Sequence, residues 1–282
     1  MMKIVTIIKF SAILLLTAYY SVAQTAITSQ KYTANNKGKF FIYWGGNRDT
    51  YSKSDINFKG ADYDFTLQNV IADDKPKGWH IDYINPARMT IPQTNFRLGY
   101  FINNHYSISV GVDHMKYVMR QDQIVNSTGY YPNAGAYGEI AGVNQINLTE
   151  NFLTFEHTDG LNYVNSEMAR HDDISNIFNL PNTDKVQINI LEGVGAGILF
   201  PKTNAKLFNK ERHDDYHVSG YGVSAKVGLN VTFFKHYFIQ TELKGGYINM
   251  SDIRTTFDAS DKASQSFFFL QKVIAFGGIF KI

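Results

Sequence analysis

The sequence predicts an all-β protein, an eight-stranded antiparallel transmembrane β-barrel with long extracellular loops and short periplasmic turns. Two observations carry this. Apolar and polar residues alternate with a period of two over runs about twice the usual strand length, and long connections alternate with short ones along the chain, as barrel loops and turns do. The clearest run is Ser219 to Phe234. One face reads Tyr221, Val223, Ala225, Val227, Leu229, Val231 and Phe233; the other reads Gly220, Gly222, Ser224, Lys226, Gly228, Asn230 and Thr232.

In chain order, the first strand is expected over Lys39 to Arg48, rich in Phe40, Phe41, Ile42, Tyr43 and Trp44. A polar segment from Asp49 to Pro92 follows as the first long loop, with Tyr63 to Ile71 extended inside it. Phe96, Leu98 and Tyr100 then alternate with Asn95, Arg97 and Gly99. Asn103 and Asn104 supply a turn that tolerates positive φ, and Tyr106, Ile108, Val110 and Val112 alternate with Ser107, Ser109, Gly111 and Asp113, completing a hairpin. Arg120 to Glu150 turns to Gly, Asn, Tyr and Pro and forms the second long loop. A strand over Phe152 to Met168 leads into a connector from Arg170 to Lys185, longer than a barrel turn usually is.

The next strand sets Val186, Ile188, Ile190, Val194, Ala196 and Ile198 against Gln187, Asn189, Gly193, Gly195 and Gly197. A charged loop, Pro201 to Tyr216, separates it from the Ser219 run. The last two strands set Tyr237, Ile239, Thr241, Leu243 and Tyr247 against Gln240, Glu242 and Lys244, and place Ile274, Phe276, Gly278, Phe280 and Ile282 on one face.

The segment Met1 to Ala23 reads as a secretory signal peptide, with Lys3 and Lys9 before an apolar run through Leu16 and small residues at Ser21-Val22-Ala23. Residues 24–37 are a polar periplasmic lead-in, and 38–282 the barrel. Without the leader's two lysines the chain carries 25 basic and 25 acidic residues, which gives no reason to expect nucleic acid as a partner. Cysteine is absent, so disulfides and thiolate metal sites are excluded. Mean hydropathy is −0.23 with no helix-length apolar run after the leader, and 15% of residues are aromatic, as strands that end at two membrane interfaces require. The expected location is a bacterial outer membrane.

A soluble lipocalin-like barrel would show the same periodicity with the faces inverted. The face chemistry decides: small and polar residues suit a narrow lumen, bulky aliphatics suit lipid. Arg97, Asp113, Lys226, Glu242 and Lys244 then point inward and must pair with one another, filling the lumen as a plug.

The leader, the eight alternating strands and the terminal run Phe276-Gly277-Gly278-Ile279-Phe280 resemble the small outer-membrane β-barrel proteins of Gram-negative bacteria, most like those of the Bacteroidota. The resemblance implies insertion by the barrel-assembly machinery and surroundings of outer-membrane lipid and lipopolysaccharide. It also allows another outer-membrane protein as partner, and it implies no cofactor.

One stretch points to chemistry. Phe155-Glu156-His157-Thr158-Asp159-Gly160-Leu161-Asn162 resembles the His-x-Ser-Asn segment of the lipid A deacylases, which implies a catalytic role for His157 on the barrel wall with a carboxylate, Glu192, on the next strand. Asp159 stands where the nucleophile belongs and cannot serve as one. The direction of His157 turns on whether Gly160 marks a bulge. Arg-His-Asp-Asp occurs at Arg170 to Asp173 and again at Arg212 to Asp215, the second followed by His217, and both read as solvated loop charge rather than metal sites. The expected function is that of a non-enzymatic structural or binding component, with a lipid A-modifying acyl hydrolase as the alternative.

Overall fold

Eight long strands close into a ring in the computed structural model, which describes residues 35–78, 80, 82, 92–180, 183–210 and 213–282. The expected signal peptide, Met1 to Ala23, and most of the expected lead-in therefore lie outside the described residues. The ring strands are β1 (Phe40–Tyr51), β2 (Thr94–Phe101), β3 (Tyr106–Met119), β4 (Leu153–Asp173), β5 (Val186–Leu199), β6 (Gly220–Phe233), β7 (Tyr237–Arg254) and β8 (Lys262–Phe280). Each pairs antiparallel with its neighbours, and β1 closes on β8 from Phe40 opposite Phe280 to Tyr51 opposite Phe269. Closure leaves no strand edge in the wall, so every ladder donor and acceptor is paired without water, the condition for crossing a membrane.

Turn chemistry fixes one end of the barrel. Between β2 and β3 the Asn103 side-chain oxygen accepts from the backbone N–H of His105 and of Tyr106, each at 2.8 Å, an Asx turn that reverses the chain in four residues. Between β6 and β7, Phe234 and Lys235 both take positive φ, 52° and 66°. The β4–β5 connector is long in sequence yet compact: the 3-10 turn Ser175–Phe178 packs back on the strands, and Asp173 accepts the Ser175 N–H at 2.8 Å.

Between about residues 40–48, 94–101, 106–112, 162–170, 188–199, 221–232, 237–249 and 267–280 the outer surface is an apolar belt. Val110 (58% exposed), Val194 (62%), Val227 (54%) and Ile274 (63%) face outward, while Arg97, Lys226 and Lys244 are sealed inside. The aliphatic rows thus face outward and the glycine-and-charge rows inward, the polarity of a transmembrane barrel and the reverse of a soluble one. No helix among the described residues is long and apolar enough to cross a membrane.

The expected long loops are not plain loops. Beyond the belt the wall continues as a second sheet structure. The Lys262–Gln265 end of β8 pairs with Ser54–Lys59, that strand with Asp64–Val70, and that in turn with Ile124–Tyr130, followed by the short strands Gln145–Asn147 and Glu139–Ile140. On the other side, Leu153 to Glu156 of β4 pairs with Lys202–Leu207, which forms a hairpin with His213–Tyr216. The predicted charged loop Pro201 to Tyr216 is therefore largely a hairpin, because Thr203, Ala205 and Leu207 alternate inward. These flaps enclose an apolar cap core that includes Ile56, Phe58, Phe65, Leu67, Phe152, Phe155 and Leu161. Its centre is an aromatic cluster: Phe65 lies 5.7 Å from both Phe152 and Phe208.

Candidate functional site

The lumen is built in layers. At the short-turn end Phe41, Tyr43, Phe101, Phe238, Val273, Ala275 and Ile279 form a small apolar stopper. It packs because Gly99 leaves room for the Phe41 ring, which a Cβ at that position would overlap at 2.0 Å.

Above it lies a charged layer. Arg97, Asp113, Lys226, Glu242 and Lys244 all point inward, and the structure gathers them into one cluster around a sixth residue, Glu167. Lys226 Nζ reaches Glu167 Oε2 at 2.7 Å and Glu242 Oε1 at 2.8 Å. Lys244 Nζ reaches Asp113 Oδ2 and Glu167 Oε1, both at 2.7 Å. Arg97 Nη2 lies 3.0 Å from Glu167 and 3.4 Å from Asp113, and donates to Asn165 Oδ1 at 2.9 Å. Three cations thus meet three carboxylates, and the desolvation of every ion but Glu242, which pairs with Lys226 alone, is offset by two or more opposite charges. Tyr43 caps the layer by donating to Glu242 at 3.2 Å while accepting from Arg97 Nε at 3.1 Å.

Glu167 is the residue that sequence reasoning missed. The five expected charges sum to three positive and two negative, and that imbalance was the available sign of a further inward carboxylate. Its strand also carries an irregularity. Between His157 and Leu161, four residues of β4 stand against two of β3 (Tyr117 to Met115), with Gly160 at φ +132°. Because the bulge adds two residues, the inward phase is unchanged across it.

His157 therefore faces the interior. It is fully buried above the belt, Nδ1 3.0 Å from Thr203 Oγ1, with Tyr117 and Phe155 rings beside it, and burial pushes its imidazole down to about 3. Glu192 faces outward near the short-turn end, opposite Arg170 on β4. At roughly 3.3 Å per residue that level is roughly 40 Å along β4 from His157. The two residues lie on opposite faces of the wall and share no site. Asp159 is exposed and pairs with Lys202 at 3.1 Å.

The two Arg-His-Asp-Asp stretches do not converge either. Along Arg170 to Asp173 alternate residues point to opposite sides, with Arg170 bound to Asp172 at 2.7 Å and His171 half-buried beside Ser107 at 3.0 Å. In the second, Arg212 lies outside the described residues, Asp214 pairs with Lys202 at 3.4 Å and His217 with Asp252 at 2.8 Å. Among the described residues no three His, Cys, Asp or Glu side chains gather as a metal set. The outer wall carries a recess of about 690 Å³ lined by Leu98, Tyr100, Ile108, Val110, Met168 and Val194, an apolar dent that faces lipid.

The charged layer is the middle of a polar column that runs the length of the lumen. Upward, Asp113 accepts from Asn95 at 2.7 Å, Asn95 donates to Gln271 at 3.1 Å, and Gln271 is the cross-strand partner of Asp49. Downward, Glu242 accepts from Gln240 at 2.6 Å, and Asn230, Asn189 and Gln187 continue the chain to Asp173. These partners cross-link strands on opposite sides of the ring and leave the centre filled with side chains.

The closed ring, the inverted faces and the filled lumen define an outer-membrane β-barrel protein of the small, eight-stranded kind. No protein-family model matches the chain, and no curated protein matches it. Among solved structures it is similar to the outer membrane protein OprG of Pseudomonas aeruginosa, at 10% identity over 88% of this chain and 99% of that one, with a TM-score of 0.36. It is also similar to the N-terminal β-barrel domain of OprF from the same organism (9% identity, 86% and 98% covered, TM-score 0.31). A third match is Neisserial surface protein A (8% identity, 86% and 97% covered, TM-score 0.32).

Proposed function

We propose that this chain is a non-enzymatic binding or structural component of the outer membrane. Its barrel is an inert, plugged pedestal, and its cap, facing the cell exterior, holds a partner at the surface or docks against another outer-membrane protein. Lipopolysaccharide and outer-membrane lipid surround the belt. The observation that carries this reading is the cap core: the long connections are packed around Phe65, Phe152 and Phe208 into a stiff body with outward apolar residues such as Ile124, Tyr130 and Phe257. A preorganised surface loses little entropy on binding. A Bacteroidota-like origin, read from the leader, the alternating strands and the terminal Phe276 to Phe280 run together, belongs to this proposal.

The chain has no cysteine, so a single Cys placed at Gly142 is a unique probe. An impermeant maleimide is expected to label it on intact cells, and labelling only after lysis would reverse the orientation. Reconstituted in planar bilayers the protein is expected to stay silent, and a steady conductance would remove the plug. Lipid A from cells with and without the gene is expected to show identical acylation, because His157 and Glu192 share no site.

A further inference from the structure

Where the polar column meets the cap, three oxygen-bearing side chains carry more negative charge than their surroundings balance. Asp49 is 4% exposed on β1, and Asp74, in the segment that follows the strand Ala72–Asp73, reaches the same spot from the cap. Gln93, fully buried, sits between them: its Nε2 donates to Asp49 Oδ2 at 3.0 Å and to Asp74 Oδ1 at 2.5 Å. Asp74 also accepts the Asp49 backbone N–H at 2.9 Å, which ties the two carboxylates together.

No ion pair to Asp49 or Asp74 is formed within 4.0 Å among the described residues, in contrast to the fully matched charged layer below. Arg48 acts on Asp74 only from a distance. Two further oxygens at this level, Gln93 Oε1 and Asn47 Oδ1, are buried without a hydrogen-bond partner, and Asp49 has only neutral amides, Gln93 and Gln271, beside its carboxylate. Unpartnered buried acceptors in a native fold ask for an occupant.

We propose that Asp49, Asp74 and Gln93 form a binding site for a divalent cation of the calcium class at the junction of lumen and cap. Two carboxylates match one divalent charge, and hard oxygen ligands with an amide carbonyl among them are the donor set of Ca²⁺. Turning the Gln93 amide through half a revolution exchanges the Nε2 that now bridges the carboxylates for the unpartnered Oε1, so the third ligand is already in place. Asn47, two residues before Asp49 on the same inward face, stands next to supply a fourth oxygen. Asp74 is partly exposed, which gives the ion a route in from the cap side. Such an ion would tie β1 and the start of β2 to the first cap segment. This inference stands apart from the binding role proposed above and does not depend on it.

Tb³⁺, which occupies calcium sites, gives the test, because Tyr51, two residues after Asp49 on the same face of β1, can sensitise its luminescence. With the full-length protein in detergent, saturable Tb³⁺ luminescence that Ca²⁺ reverses is expected, together with a rise in thermal midpoint in Ca²⁺ over EDTA. Asp74→Asn, a change outside the ring that leaves barrel closure intact, is expected to weaken Tb³⁺ binding at least tenfold and abolish the Ca²⁺ shift. Tyr51→Phe is expected to lose luminescence while the Ca²⁺ shift remains. Absence of any Ca²⁺ shift in the wild type would overturn the site, since a carboxyl pair that merely holds a proton responds to pH alone. An unchanged Asp74→Asn variant would overturn it as well.

Discussion

The membrane half and the cap half of this molecule share strands but are organised in opposite senses. In the belt, Val110, Val194 and Ile274 look outward while Arg97, Glu167 and Lys244 fill the centre. A few residues further along the same strands, Met115, Phe155 and Ile248 fill the centre and polar residues look outward. The wall is continuous, so the inversion is made by sequence alone: β4 carries Glu167 and Phe155 in one inward phase, on either side of the Gly160 bulge. What differs is the medium outside. Lipid offers no gain for burying aliphatics inward, so the belt interior is free to be ionic; water does, so the cap interior is apolar.

The largest effect should come from unbalancing the ionic interior. Glu167→Gln leaves three cations facing two carboxylates and is expected to cost about 3–5 kcal/mol, read as the urea midpoint of the barrel in lipid vesicles. Adding Lys226→Met restores the balance and should recover much of the loss; no recovery would mean that Glu167 matters by shape rather than charge. Next comes the outward face. Val110→Arg near the middle of the belt is expected to cost about 2–4 kcal/mol, and a neutral result would break the assignment of the aliphatic face to lipid.

In the cap the reverse logic applies, and Leu67→Ala should cost about 2–3 kcal/mol as an ordinary core truncation. Its signature is early proteolysis of the cap with an unchanged belt. The smallest effect at neutral pH belongs to His157. Held neutral by burial with its pKa pushed down to about 3, below an unfolded value near 6.5, it supports the fold fully above pH ~6.5 and loses that support as pH falls toward 3. His157→Gln should therefore flatten the acid side of the cap's stability profile while leaving pH 8 unchanged, as thermal melts across the range would show.

Much of the belt was legible in the sequence because its strands repeat one signal many times. Tyr221 to Phe233 offers seven consecutive apolar positions on one side, six of them bulky, and no tertiary contact is needed to see them. All five expected lumen charges sit on alternating strands. Glu167 was harder to read because the outward row beside it is weak: Val164 and Met168 flank a small polar residue, Ser166, so that stretch offers no run of bulky positions. The cap was hidden for a different reason. Its strands run from two to seven residues, and its core joins Phe65, Phe152 and Phe208, which are remote in sequence. No local pattern announces such a cluster. The hydrolase resemblance failed on the same point: a short segment fixes residue types, whereas only the register of β4 and β5 fixes which side of the wall each occupies.

On the proposed orientation, the flaps that rise from β8 and β4 set how such a protein is met from outside its membrane. Five or six further residues of each strand, at roughly 3.3 Å apiece, lift a rigid turret on the order of 20 Å clear of the hydrocarbon. Its outer surface is assembled from segments scattered over much of the chain. An antibody or phage that grips it would be reading a folded shape, and peptides copied from any single segment would not compete.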